Sequence, residues 1–85
     1  MEESFNCACG KKIRSRRLTL GLTQSKLAES VGVTFQQIQK YEKGTNGVSA
    51  ERIGQIATAL KVNVLYFYNN YKPNFQVIEN DKSNS

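Results

Sequence analysis

Closely spaced turn signals constrain this chain more than any other feature, because they leave room only for short helices. Gly21, Gly32 and the stretch 44–47 each follow a segment in which apolar residues recur at helical spacing, and Val62-Asn63 closes a fourth. Alternation of apolar and polar residues, the pattern of a strand, is almost absent before residue 70. The sequence therefore predicts an all-α fold.

Capping residues indicate where the helices begin. Thr23 and Thr34 are the predicted caps of the second and third segments, and Asn63 is that of a short fifth segment over 64–68, whereas the fourth segment follows Ser49. Side-chain oxygens of these residue types accept hydrogen bonds from the free amides of a first helical turn. With a first helix over about 8–20, the sequence predicts a compact bundle of five short helices as one domain over residues 8–68.

The composition changes after Tyr68. Residues 69–85 contain five Asn and the only proline, Pro73, which excludes a continuous helix. Phe75–Ile78 alternates apolar and polar residues, which favours a docked extended segment or an edge strand. The last five to seven residues are polar, and we expect them to be disordered. Residues 69–85 are therefore predicted to be a C-terminal extension.

The positive charge is unevenly distributed along the chain. The 85 residues carry 12 Lys and Arg against 7 Asp and Glu, a net charge of +5. Residues 11–43 hold eight of these cations against two acids, whereas residues 44–85 hold four against three. This asymmetry indicates a partner surface in the first half, although a solvated basic helix would also account for residues 11–17.

Several functional classes are excluded by composition. No run approaches the ~18 apolar residues of a membrane span, and the first residues, MEESFN, lack the apolar core of a secretory signal. Histidine, the commonest general base and zinc ligand, is absent, and no nucleophile–base pair or glycine-rich phosphate loop is present. We therefore expect a cytoplasmic binding protein without enzymatic activity, cofactor, metal or membrane partner.

Cys7 and Cys9 form a C-x-C pair near the start of the chain. One intervening residue leaves too little room for an easy intramolecular disulfide, and two thiols alone do not complete a tetrahedral zinc site. Free reduced thiols are expected in a cytoplasmic protein. A metal or a disulfide shared across a dimer is the open alternative.

The third segment has two chemically different faces at 100° per residue. Ile38 and Tyr41 point one way. The opposite face carries amides and amines: Gln36, Gln39, Lys40 and Lys43. Phe35 and Gln37 lie on its flanks. Gln can bond adenine bidentately and Lys can bond guanine or a phosphate, although a solvated face has the same composition. Phe35 either contacts a thymine methyl group or packs partly buried over Val33 or Leu22.

Two short helices joined by a tight turn after a basic helix are the pattern of a DNA-binding helix-turn-helix. The stretch IRSRRLTLGLTQSKLAESVGVTFQQIQKYEKG, followed by ERIGQIATALKVNVLYF, resembles the phage repressor/Cro-like (XRE-type) family over about residues 11–67. The resemblance implies a lambda repressor-like DNA-binding domain, a helix-turn-helix motif at 24–43, and a third helix that lies in the major groove of double-stranded DNA.

The resemblance also implies roles for individual residues. Together with the pattern of the third segment, it predicts base reading by Phe35, Gln36, Gln37 and Lys40. It predicts phosphate contacts by Thr23, Gln24, Thr34, Gln39, Lys43 and Asn46. Arg17 and Glu42 match family positions that form a structural ion pair between the first and third helices. The loop 45–49 lacks the arginine that the family often carries after the third helix, so no insertion into the minor groove is expected there.

Apolar and aromatic residues after the fourth segment exceed what one short helix must bury. Val64, Leu65, Phe67 and Tyr68 are predicted to form a symmetric homodimer interface that suits a two-fold operator. For Val62 and Leu65 the alternative is that they cap the monomer core. The predicted function is a dimeric transcriptional regulator, such as a repressor. The alternative is an antitoxin that binds DNA and neutralises a toxin, a protein partner, through the C-terminal extension. RNA binding is disfavoured, because no aromatic stacking sheet is readable.

Overall fold

A computed structural model describes residues 3–69 of the chain. In order, its helices are α1 (Phe5–Thr19), α2 (Gln24–Val31), α3 (Phe35–Lys43), α4 (Ala50–Leu60) and a single 3₁₀ turn (Val64–Phe67). The described residues contain no strand, so the all-α prediction is confirmed. The expected segment at 75–78 and the rest of the C-terminal extension beyond Asn69 lie outside the described residues.

Two details of the predicted helices are wrong. The fifth helix is only a four-residue 3₁₀ turn, because so short a segment cannot build the successive i→i−4 bonds that stabilise an α-helix. The first helix begins at Phe5, three residues earlier than expected, because Ser4 acts as its N-cap and accepts a hydrogen bond from the Cys7 amide at 3.1 Å.

The three predicted caps are confirmed, and Ser49, which precedes the fourth segment, also acts as a cap. Thr23 Oγ1 accepts from the Lys26 amide at 3.0 Å, Thr34 Oγ1 from Gln37 at 3.1 Å, and Ser49 Oγ from Arg52 at 3.1 Å. Asn63 Oδ1 accepts from the Leu65 amide at 2.8 Å. Each cap satisfies one free amide at a helix start, which fixes where the chain changes direction.

Two glycines end helices in the left-handed region. Gly32 closes α2 with φ 82° and Gly44 closes α3 with φ 78°, a conformation in which a β-carbon would be strained. At α4 the same conformation is adopted by Lys61, with φ 61°. These reversals keep the connections short, so that α3 packs against both α1 and α2, and α4 packs against α2 and α1.

A single apolar core lies where the helices meet. Its buried members are Cys9, Ile13, Leu27, Ala28, Ile38, Tyr41, Ile53, Ile56, Ala57, Leu60 and Phe67. Cys7 and Cys9 are both free thiols. Because Cys9 lies in this core, its sulfur is not available to bridge two chains, and burial raises the pKa of its thiol. None of the helices within residues 3–69 has the length and apolarity needed to cross a membrane.

Candidate nucleic-acid interface

The turn between α2 and α3 holds the two helices in a fixed relation. The amides of Gly32 and Val33 both donate to the Ala28 carbonyl oxygen, at 2.8 and 3.0 Å, and Thr34 then caps α3. Leu27 and Ala28 of α2 and Ile38 of α3 are buried in the core. The start of α3 therefore has little freedom to move relative to α2, which is what a helix that must align with a rigid ligand requires.

The outward face of α3 consists of exposed or half-buried polar side chains. Ile38, Tyr41 and Glu42 are buried against the rest of the molecule, which leaves the opposite side of the helix to solvent. The outward face comprises Gln36, Lys40 and Lys43, which are exposed, and Gln39, which is half-buried. It offers amide donors and acceptors together with two cations, none of which has a side-chain partner within residues 3–69.

Phe35, at the first position of α3, is 39% exposed. Leu22 and Val33 pack against the core, whereas Phe35 is not among the side chains that do. At this exposure the ring is partly covered and partly open to solvent at the start of the helix, so the partly buried flap and the contact with a thymine methyl group both stay predictions. Gln37, on the other flank of α3, is half-buried.

A buried ion pair joins α1 to α3. Arg17 Nε lies 2.6 Å from Glu42 Oε2, and Arg17 Nη2 donates to Glu42 Oε1 at 3.0 Å, in a bidentate arrangement. Arg17 Nη1 also donates to the Leu22 carbonyl oxygen at 2.8 Å. Both side chains are buried. Bidentate pairs of this kind fix orientation as well as adding energy, so the pair holds the last turn of α3 against α1.

Gln24 is attached to the same carboxylate. Its Nε2 donates to Glu42 Oε1 at 3.0 Å, a contact that the sequence did not predict. The first residue of α2 is thereby linked through Glu42 to the last turn of α3. The second amide hydrogen of Gln24 has no partner among the described residues, and it lies at a helix start whose free amides and dipole favour an anion.

The remaining predicted phosphate contacts lie at exposed positions around α2 and α3. Thr23 and Thr34 are exposed at the starts of these helices, although their hydroxyls already act as caps. Asn46 is exposed in the loop that follows Lys43. The same loop is fastened to α3, because the amide and the hydroxyl of Thr45 both donate to the Lys40 carbonyl oxygen at 3.1 Å.

The cations of α1 have different hydrogen-bond and ion-pair partners, which the count of charges along the sequence did not predict. Lys12 Nζ donates to the Tyr66 carbonyl oxygen at 3.1 Å and also to that of Asn69. Arg16 Nε donates to the Leu60 carbonyl oxygen at 2.9 Å. Both side chains therefore satisfy carbonyl groups at the ends of α4 and the 3₁₀ turn, where cations are favourable. Lys11 pairs with Glu3 at 2.6 Å, and this hydrogen bond raises the pKa of Lys11.

Gly10 is another residue whose role was not predicted from the sequence. A β-carbon at this position would lie 2.6 Å from the Glu42 carbonyl oxygen and closer still to that of Tyr41. The backbones of α1 and α3 therefore cross in contact at Gly10, directly beside the Arg17–Glu42 pair. An isolated glycine within a helical pattern was the only available signal in the sequence.

The predicted dimer residues separate into exposed and buried members. Phe67 is wrong as an interface residue, because its ring is 0% exposed and belongs to the monomer core. Val64, Leu65 and Tyr68 are exposed, Leu65 at 63%. Tyr68 stacks on Phe5 with ring centroids 5.0 Å apart. These three exposed residues form an apolar patch on the 3₁₀ turn and its C-cap, which we call the 3₁₀ patch.

Comparisons with known proteins match the helical part of the chain. The family model described as helix-turn-helix matches residues 13–67. A curated relative, an uncharacterised HTH-type transcriptional regulator of Sinorhizobium medicae, is 58% identical over 59 residues, 69% of this chain and 42% of the relative. The antitoxin PezA of Streptococcus pneumoniae is 44% identical over 57 residues, 67% of this chain and 35% of that protein. The chain thus spans less than half the length of these relatives.

Solved structures show the same architecture. The P22 c2 repressor protein, solved in complex with a synthetic operator, superposes with a TM-score of 0.66 at 29% sequence identity. The match covers 69% of this chain and 89% of the repressor. The aligned segment is long enough to contain the whole α2–turn–α3 unit together with helices that pack on it.

Proposed function

Because the chain belongs to the XRE-type helix-turn-helix family, we propose that it is a transcriptional regulator that binds double-stranded DNA sequence-specifically as a homodimer. The outward face of α3 enters the major groove in this proposal. The observation that carries it is the combination of unpartnered amides and cations on that face with a rigid attachment underneath. An α-helix fits the major groove, where every base pair presents a distinct pattern of donors and acceptors.

Side chains on and beside the outward face divide into two roles. Gln36, Gln37, Lys40 and Phe35 read base edges, the ring of Phe35 against a thymine methyl group. Contacts to the phosphate backbone fix the register of the protein without reading sequence. They come from Thr23, Gln24, Thr34, Gln39, Lys43 and Asn46.

Selection of random duplex DNA by the purified protein tests the proposal directly. We expect an enriched inverted repeat whose half-site centres are about one helical turn apart, as two-fold helix-turn-helix dimers require. Affinity for the enriched duplex should fall linearly with the logarithm of salt concentration, with a slope set by the number of phosphates contacted. Weak binding that enriches no sequence would contradict sequence-specific recognition.

Paired substitutions on the outward face separate base reading from phosphate binding. Gln36→Ala should cost about 1–3 kcal/mol of discrimination at one or two base positions and little elsewhere. Lys43→Ala should weaken all sequences alike and reduce the salt slope by about one. Binding to the enriched duplex and to each single-base variant measures both effects. If Gln36→Ala weakened every variant equally, base reading by Gln36 would be wrong.

A second copy of the chain is the occupant that we propose for the 3₁₀ patch. A single module of this size buries little DNA surface, and a two-fold operator bound by a dimer doubles it. Leu65→Asp places a charge on the most exposed apolar residue of the patch, and we expect the dimer to dissociate. Leu18→Asp is the matched control, since Leu18 is 54% exposed on α1. Sedimentation equilibrium should report monomers only for Leu65→Asp, and an unchanged dimer in that variant would reject the patch.

An antitoxin role is the second candidate, favoured by the similarity to PezA. In this role the helix-turn-helix still binds DNA, and residues 69–85 bind a toxin protein. Truncation after Asn69 distinguishes the two functions. DNA binding that survives truncation, together with loss of inhibition of a toxin encoded next to this protein, supports the antitoxin. Failure of the full-length chain to inhibit that toxin, or inhibition that survives truncation, would reject it.

A further inference from the structure

Arg14 is the one cation of α1 to which the contacts above assign no task. Lys12 and Arg16 bind carbonyl oxygens, Lys11 pairs with Glu3, and Arg17 pairs with Glu42. The guanidinium of Arg14 makes no hydrogen bond or ion pair with any described residue, and the side chain is exposed. An unpaired arginine, with its five donors, remains available for an external anion.

The position of Arg14 around α1 places it on the side of α1 that faces α3. Lys12 and Arg16, at i and i+4, face α4 and the 3₁₀ turn. Gly10 and Arg17 face α3, because Gly10 touches its backbone and Arg17 pairs with Glu42. Residues at i, i+4 and i+7 share one side of a helix, so Arg14 lies on the same side as Gly10 and Arg17, which we call the α3 flank.

Helix geometry also sets the direction of the Arg14 side chain. Side chains on an α-helix lean toward its N-terminus, so a long side chain covers the turn before its own Cα. For Arg14 that turn contains Gly10, whose open side is filled by the backbone of α3. Gly10 is the point where α1 crosses the last turn of α3 at Tyr41 and Glu42. Because Arg14 is exposed and bonds to neither carbonyl oxygen, its side chain lies on the solvent side of this crossing, at which α3 ends with Lys43.

We propose that Arg14 binds a phosphate of the DNA backbone and thereby extends the interface from α3 onto the α3 flank of α1. This inference rests on the proposed DNA-binding function. Arg14 and Lys43 then hold the backbone from two different helices, whose relative position is fixed by the Gly10 crossing and by the buried pair beneath it. A backbone contact of this kind adds affinity and orientation but no sequence information.

Salt-dependent binding of the enriched duplex by Arg14→Ala tests the assignment. One phosphate contact contributes about 0.9 to the slope of the logarithm of affinity against the logarithm of salt concentration. The factor by which affinity falls between 50 and 200 mM salt should therefore be about 3.5-fold smaller for Arg14→Ala than for the unmodified protein. The enriched duplex and its single-base variants should be weakened by the same factor. Arg14→Lys keeps the charge and should restore most of the slope. The melting temperature should not change, because the guanidinium has no partner within residues 3–69.

Lys11→Ala is the matched control, since Lys11 is an exposed cation of the same helix that is held by Glu3. It should leave the slope unchanged. If Arg14→Ala left the salt slope unchanged while Lys43→Ala reduced it, the assignment of Arg14 would be wrong and the proposed function would still hold. A lower melting temperature or a base-dependent loss for Arg14→Ala would also overturn it. If the unmodified protein bound no duplex, the proposed function itself would fail.

Discussion

Arg17→Ala is expected to lower the free energy of unfolding by about 3–5 kcal/mol, the usual cost of removing one partner from a buried ion pair. The Glu42 carboxylate would remain buried with the Gln24 amide as its only side-chain partner among the described residues. The Leu22 carbonyl oxygen would lose its donor as well. Because small domains have little stability to spare, chemical denaturation at low temperature is the appropriate measurement.

Two further variants separate the charge of the pair from its geometry. Arg17→Lys keeps the charge but loses the bidentate fork, so its cost should be intermediate. The double variant Arg17→Met with Glu42→Leu removes both charges from the interior and should recover most of the lost stability. Sequence preference for DNA should be retained in every variant that still folds. Unchanged stability of Arg17→Ala together with lost DNA binding would show that Arg17 acts on DNA rather than on the fold.

Gly10→Ala should destabilise the protein by about 1–3 kcal/mol, because the new methyl group meets backbone atoms of α3. The nearest atoms are the carbonyl oxygens of Tyr41 and Glu42, which no rotamer change can move. The two helices must therefore separate at their crossing. Because the outward face of α3 depends on this crossing for its position, DNA affinity should fall along with the midpoint of urea denaturation.

Gly54→Ala is the control for Gly10→Ala. Both glycines lie inside helices, so both substitutions gain the same intrinsic helix propensity. A β-carbon at Gly54 meets nothing within 4 Å, so this variant should gain about 0.5–1 kcal/mol. Equal effects of the two substitutions would mean that the close approach of α1 to α3 does not limit stability.

Sequence reasoning was most successful where structure depends on neighbours along the chain. Thr23, Thr34 and Asn63 were all expected to be caps, and all three accept the expected backbone hydrogen bond. The outward direction of Gln36, Lys40 and Lys43 likewise followed from helical periodicity alone. Interactions across three or four residues have nearly the same geometry in every helix, so residue type and spacing are sufficient to predict them.

The roles of the basic residues were not predictable in the same way. Lys12, Arg14, Arg16 and Arg17 look alike in a run of cations, yet the structure gives each a different environment. Which cation meets a carbonyl, a carboxylate or solvent depends on which helix packs against each side of α1. Family resemblance singled out Arg17, because a family pattern carries tertiary information that composition lacks.

Phe67 and Gly10 show the same division between local and tertiary information. Phe67 was expected at a dimer interface with its neighbours, but the 3₁₀ turn directs its ring into the core and leaves Leu65 outside. Gly10 is unremarkable in the sequence and becomes critical only where α1 meets the backbone of α3. The sequence by itself determined the helices, their caps and the polar face of α3, because these are local. Tertiary packing alone decided which side chains are buried, paired or exposed to solvent, because that choice depends on contacts between residues far apart in the chain.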